Sequence, residues 1–179
     1  GNTWSHAALG SGVFIANKTD GTLWSWGYGL KGTLGQNESP GEISYSSPVQ
    51  IGTGTDWAYG NGSVSSSSYV SAAVKTDGTL WTWGKNDDGQ LGHNNKTEYS
   101  SPKQIPGTWS SVFCGWKSTF ATKTDGTLWS WGYGSRSNRA LLGQNNTTSR
   151  SSPVQVGSET DWSANLGGSY FAIFGMRMN

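Results

Sequence analysis

The sequence predicts an all-β fold built from β-propeller blades, and three observations carry that expectation. The stretch KTDGTLWSWGYG at Lys18–Gly29 returns almost letter for letter at Lys123–Gly134, with KTDGTLWTWGKN at Lys75–Asn86 between them. A leading tryptophan recurs at Trp4, Trp57, Trp109 and Trp162, spaced by 53, 52 and 53 residues. Each period reads as about four short β-prone runs, and no window sustains a helical period. Four strands per unit of this length is the pattern of a propeller blade, which needs a neighbour on each side to bury its faces.

Taken in order, the segment after each leading tryptophan offers one strand. The TDGTLW segment follows, with Asp20, Asp77 and Asp125 at its turn. Asp-Gly between β-prone runs signals a tight hairpin. A type I′ turn there places Gly21, Gly78 and Gly126 at positive φ. Beyond the turn the period-two rule sends alternate residues to opposite faces, and Trp26, Trp83 and Trp131 are expected to be buried where blade meets blade. Next come LGQN, LGHN and LGQN from Leu34, Leu91 and Leu142, then SSPVQI, SSPKQI and SSPVQV around Pro48, Pro102 and Pro153. The last is a short strand entered through a proline. The units run approximately 4–56, 57–108 and 109–161 with a partial fourth at 162–179, inside one domain spanning 1–179.

Bulk composition narrows the function. Twelve basic against eleven acidic residues leave a net charge of +1, no footprint for a nucleic-acid partner. Charged residues make up 13% of the chain, while 27 glycines and 11 tryptophans suit tight turns and aromatic-packed sheets. The single cysteine, Cys114, excludes an intrachain disulfide and a multi-cysteine zinc site. No apolar run is long enough for a membrane span.

No catalytic constellation, metal site or cofactor motif emerges. The three Asp-Gly pairs are read as turn residues. His6 and His93 have no partner in sequence, and NDDG at Asn86–Gly89 is too short for a calcium loop. Binding is expected on loops that interrupt the repeat: NESPGEISY at Asn37–Tyr45, GNGSVSSSSY at Gly60–Tyr69 and SRSNRA at Ser135–Ala140. Tyr45, Tyr69, Arg136, Arg139 and nearby Arg150 are the interface-favoured residues there, and Trp116 joins them because it breaks the pattern of the other units. Sequons at Asn17, Asn37, Asn61, Asn95, Asn145 and Asn146 are the candidates for glycosylation.

With these landmarks in order, GTLWTWGKNDDGQLG at Gly78–Gly92 resembles the core of the RCC1-like (regulator of chromosome condensation) repeat family. GYGLKGTLG in the first unit lacks the glutamine, and GYGSRSNRALLG in the third carries three extra residues. The resemblance implies a propeller, usually of seven blades. The family's founding member is a nucleotide-exchange factor for a small GTPase and a chromatin binder, and no motif for either role maps here. GWKST at Gly115–Thr119 resembles the Gly-Trp-Arg-His-Thr motif of the plant ultraviolet-sensing members, with Lys117 and Ser118 in place of Arg and His. Trp116 is accordingly expected as a packed or partly exposed ring.

The expected function is a non-catalytic module for structure or recognition, binding protein or glycan, in a phage, viral or bacterial surface assembly. That setting is extracellular or on a virion. The alternative is a regulatory partner of a GTPase or other enzyme, ahead of a polysaccharide-acting enzyme. Three periods and a half-unit are further expected to form an open arc, or part of an oligomeric or larger propeller, self-associating through exposed blade edges.

Overall fold

The computed structural model describes residues 3–38, 41–137, 139–169 and 172–177, and among them every regular element is a strand. Blade one is a sheet of β1 (Trp4–Leu9), β2 (Val13–Lys18), β3 (Leu23–Leu30) and β4 (Glu42–Gln50), paired in that order. Blade two repeats it with β5 (Val64–Ser66), β6 (Val70–Val74), β7 (Leu80–Gly84) and β8 (Tyr99–Ile105). Blade three uses β9 (Trp109–Cys114), β10 (Ser118–Lys123) and β11 (Leu128–Gly132). A small hairpin, β12 (Ser135–Arg136) and β13 (Arg139–Ala140), intervenes before its fourth strand, β14 (Arg150–Gln155). A strand pair, β15 (Trp162–Ser169) and β16 (Ala172–Arg177), follows. All pairings are antiparallel, and β1 touches β5, β5 touches β9 and β9 touches β15. First strands therefore meet around the axis, and fourth strands lie outermost.

All three segments expected to be loops are partly strand, Ser135–Ala140 through the β12–β13 hairpin. Gly60–Tyr69 contains β5, the axial strand of blade two, whose three residues are all buried. Its serines are small enough for the crowded axis, which is why the run did not read as a strand. Trp57, the leading tryptophan of that blade, makes only an isolated bridge to Lys75, since the Gly60–Ser63 turn intervenes. In blade one, Glu42–Tyr45 belongs to β4 and prolongs the outer hairpin.

The repeated dozen folds identically in each blade. Gly21, Gly78 and Gly126 have φ of 78°, 81° and 79°. The turn is not type I′, however, because the preceding aspartates lack positive φ. Lys18 N–H donates to Thr22 O and Gly21 N–H to Lys18 O, both at 3.0 Å. These bonds close a three-residue loop with glycine in the left-handed position. Its aspartate is committed locally: Asp20 Oδ1 accepts from Thr22 N at 3.0 Å and Thr22 Oγ1 at 2.7 Å. Thr22 Oγ1 in turn accepts from Trp24 Nε1 at 2.7 Å. Asp77–Thr79–Trp81 and Asp125–Thr127–Trp129 form the same relay. Bonds from threonine hold all three aspartate pKa values below the ordinary carboxylate value. The lysine completes the unit: Lys123 Nζ lies 5.3 Å from the Trp109 ring and 3.8 Å from Trp129, and Lys18 and Lys75 sit likewise. The first tryptophan of each pair thus closes a cage within its own blade.

The second tryptophan of the pair joins blades. Trp83 and Trp131 are 0% exposed. Trp83 Nε1 donates to Thr33 O of blade one at 3.0 Å, and Ser71 Oγ donates to the same carbonyl at 2.8 Å. Trp131 Nε1 and Thr119 Oγ1 repeat this on Gln90 O of blade two, at 3.0 and 2.8 Å. The Leu-Gly corner must be glycine, since a Cβ on Gly35 or Gly92 would stand 2.7 Å from the indole nitrogen it receives. Each clasp anchors an apolar core shared by two blades, one around Ile15, Leu34 and Trp83, the other around Leu80, Leu91 and Trp131.

Trp26 corrects the expectation of equivalent burial. It is half-buried and donates no indole hydrogen bond to any described residue. Phe14 stands where blades two and three carry Ser71 and Thr119, and stacks on Trp26 at 5.3 Å and 5°. Trp4 (49% exposed) and Phe14 (36%) leave aromatic surface open on this side of blade one. Trp83→Ala and Trp131→Ala should each cost about 3–5 kcal/mol in denaturant unfolding, and Trp26→Ala clearly less. Equal losses at all three positions would contradict the clasp.

His93 stands where the other blades carry Gln36 and Gln144, whose amides bridge to Ser25 Oγ at 3.0 Å and Gln155 O at 2.9 Å. The His93 ring shares a hydrogen bond with Thr82 Oγ1 at 3.0 Å and meets Tyr99 edge-on. Burial first, then nearby Lys103, lowers its pKa from 6.5 to about 4. The folded value lies below the unfolded one, so the neutral ring's contribution is complete above pH 6.5 and is lost as pH falls through about 4. His93→Gln should flatten the stability profile in that window, measured by urea unfolding at a series of pH values; an unchanged profile would contradict the assignment.

Candidate recognition site

Antiparallel alternation divides the connections between two faces. One face carries the repeated TDG turns. The other carries the first hairpin of each blade and the long connections after the third strand, where the blades differ in sequence. On this second face Trp116, in the β9–β10 turn, meets Tyr69 from the β5–β6 hairpin at 6.4 Å and Tyr133 from the end of β11 at 6.2 Å. Backbone bonds hold the assembly: Tyr133 N donates to Lys117 O and Lys85 N to Tyr69 O, both at 2.8 Å.

Cations lie over these rings. Lys117 Nζ is 5.1 Å from the Trp116 centroid and 5.4 Å from Tyr133, Arg136 lies 5.4 Å over Trp116, and Lys85 lies 5.0 Å over Tyr69. Lys117 also pairs with Asp88 at 2.9 Å, and Lys85 with Asp87 at 2.8 Å. The bond to Asp87 raises the Lys85 pKa. Beside Trp116, toward the axis, opens a cleft of about 320 Å³ between Leu9, Ser66, Ser68, Phe113 and Cys114. The site combines aromatic surface, ring-held cations and a hydroxyl-rimmed cleft, a set suited to recognition.

Three of the residues expected to bind, Tyr69, Trp116 and Arg136, converge here. Arg139 pairs with Arg136 across the β12–β13 backbone, and Arg150 begins β14 opposite Gly132, half-buried. Tyr45 does not join them: it pairs with Gly27 on β4 and packs against the core between blades one and two. Sequence reasoning missed Tyr133, Lys117 and Lys85. A signal existed, because the residue after each Trp-Gly varies (Tyr28, Lys85, Tyr133) within an otherwise repeated segment.

Other candidates acquire local roles. Burial raises the Cys114 thiol to about 12, the value of an inert group. Asn17 is fully buried and donates to Ala58 O and, at 3.1 Å, to Ser63 Oγ, which removes its sequon from glycosylation. Among the described residues no three of His, Cys, Asp and Glu cluster as metal ligands, and no helix is long and apolar enough to cross a membrane.

The description "Regulator of chromosome condensation (RCC1) repeat" matches residues 77–122, and a second version of it matches 63–90. The human E3 ubiquitin-protein ligase HERC2 is 36% identical over 88 residues, covering 49% of this chain and 2% of its own length. Prp20p from Saccharomyces cerevisiae shares the fold with a TM-score of 0.75 at 18% identity, over 97% of this chain and 44% of that one. Human WBSCR16 gives 0.70 at 23% identity, over 86% of this chain and 37% of that one. This chain thus spans under half of each solved relative and a small part of the ligase. The matched residues centre on blade two, whose corner keeps the Gly-Gln-Leu-Gly letters. Blades one and three change those letters yet keep the same sheet and corner, so the three are one repeat, and the chain belongs to the RCC1-like repeat family.

Proposed function

We propose that this chain is a non-catalytic recognition module whose contact surface is the face centred on Trp116. The observation that carries this reading is the convergence of Tyr69, Trp116 and Tyr133, from two blades, with Lys85, Lys117 and Arg136 held over their rings. Rigid aromatics and ring-backed cations supply contact area and directional charge at low entropic cost. The opposite face is occupied by self-satisfied turns, so variation between blades concentrates where contact is proposed.

A protein partner is supported by Prp20p, whose structure is described with its binding to Gsp1p and histones. A regulatory partner of a GTPase or other enzyme would use the same face, and the test below serves both. A partner that co-purifies with the chain from its source cells should be retained about tenfold less by Trp116→Ala, the loss of one interface anchor. Thr76→Ala, on the opposite face, should retain it fully. Loss on Thr76→Ala with retention on Trp116→Ala would reverse the assignment.

Self-association through blade one is a separate proposal, supported by the exposed Trp4, Leu9 and Phe14. Light scattering should show a mass that falls toward the 19.1 kDa monomer on Phe14→Ser. A monomer before the substitution would overturn it.

A further inference from the structure

The charge on the recognition face is unevenly placed. Three of the chain's four arginines fall between residues 136 and 150. Between Trp109 and Ser158 the one acidic residue is Asp125, which sits at the opposite face in its turn. Blade three thus brings Lys117, Arg136, Arg139 and Arg150 beside two carboxylates of blade two, Asp88, which pairs with Lys117, and Asp87, which pairs with Lys85. The rings fix two of these cations in place, Lys117 over Trp116 and Tyr133, and Arg136 over Trp116. The β12–β13 hairpin places Arg139 opposite Arg136. The cleft beside Trp116 is walled by Leu9 and Phe113 and rimmed by serine hydroxyls, without a charged side chain among its lining residues.

We infer that this face recognises an acidic peptide segment of a partner protein. One uncharged residue sits in the axial cleft, and flanking carboxylates meet Lys117 and the hairpin that carries Arg136 and Arg139. The inference rests on the recognition reading above and adds the chemistry of the partner. Guanidinium groups take carboxylates in paired hydrogen bonds, and an excess of cations steers an acidic segment before contact. The rings hold Lys117 and Arg136 in place, so the charge is oriented in advance.

The test uses the full chain and three labelled peptides of one length, each with a central leucine flanked by Glu, by Gln or by Lys, read by fluorescence anisotropy. The Glu peptide should bind about tenfold or more tighter than the Gln peptide, and weaken as salt rises. Arg136→Gln with Arg139→Gln should lose that preference. Melting curves of the variant confirm that it folds. Lys31→Glu, on the same face of blade one, should leave binding unchanged. Equal binding of Glu and Gln peptides, tighter binding of the Lys peptide, or an equal loss on Lys31→Glu would each overturn the inference. Such a failure leaves the recognition reading standing if Trp116→Ala still abolishes peptide binding or partner retention. Absence of binding by all three peptides overturns the acidic preference, and partner retention by Trp116→Ala then decides the wider reading.

Discussion

The whole arrangement depends on one contact: an indole N–H and a hydroxyl from one blade converging on a single corner carbonyl of the blade before it. Thr33 O and Gln90 O each receive two donors, which uses both lone pairs of a buried acceptor. Removing either donor leaves a buried polar group short of a partner, a cost beyond the lost apolar contact. The same indole carries the largest plate of the interblade core, so polar direction and apolar burial are fixed by one side chain. That dual duty explains why the tryptophan and the Leu-Gly corner repeat together.

Within a blade the labour is divided by end. At the turn end, lysine, two tryptophans, threonine and aspartate satisfy one another, and nothing there is left to vary without loss. At the other end, one backbone bond recurs between the first hairpin and the residue after each Trp-Gly, and the side chains there differ between blades. Blade one shows Tyr28 next to Gly12, blade two Lys85 next to Tyr69, and blade three Tyr133 next to Lys117. The scaffold therefore presents a row of equivalent positions on which different chemistry is displayed. In blades two and three that row becomes a continuous aromatic and cationic patch.

Blade one shows what happens when a repeated position is altered. Phe14 replaces the clasp hydroxyl, stacks on Trp26, and turns a surface that would grip a corner carbonyl into a flat apolar plate. The change costs directional bonding and adds exposed aromatic area. Recognition at Trp116 and apolar contact at blade one are thereby separated on the molecule.

The amino-acid sequence determined the fold class, the count of blades and the places of the turns. Each rests on local chemistry: Asp-Gly at a hairpin, period-two alternation, and a spacing that tolerates length changes within a unit. It also pointed to Tyr69, Trp116 and Arg136, because each interrupts a repeat. The tertiary structure decided the rest. Whether a tryptophan is buried depends on what stands in front of it, and so Trp26 differs from Trp83 and Trp131 although their neighbours in sequence agree. The serine run before Tyr69 became an axial strand because β6 pairs with it, Ser65 opposite Ala72 and Ser66 opposite Ser71. Tyr45 went to the core, and Tyr133 and Lys117 came to the site, because strand pairing sets which residues meet across blades. Such meetings join residues as far apart as Tyr69 and Trp116, and local pattern carries no record of them.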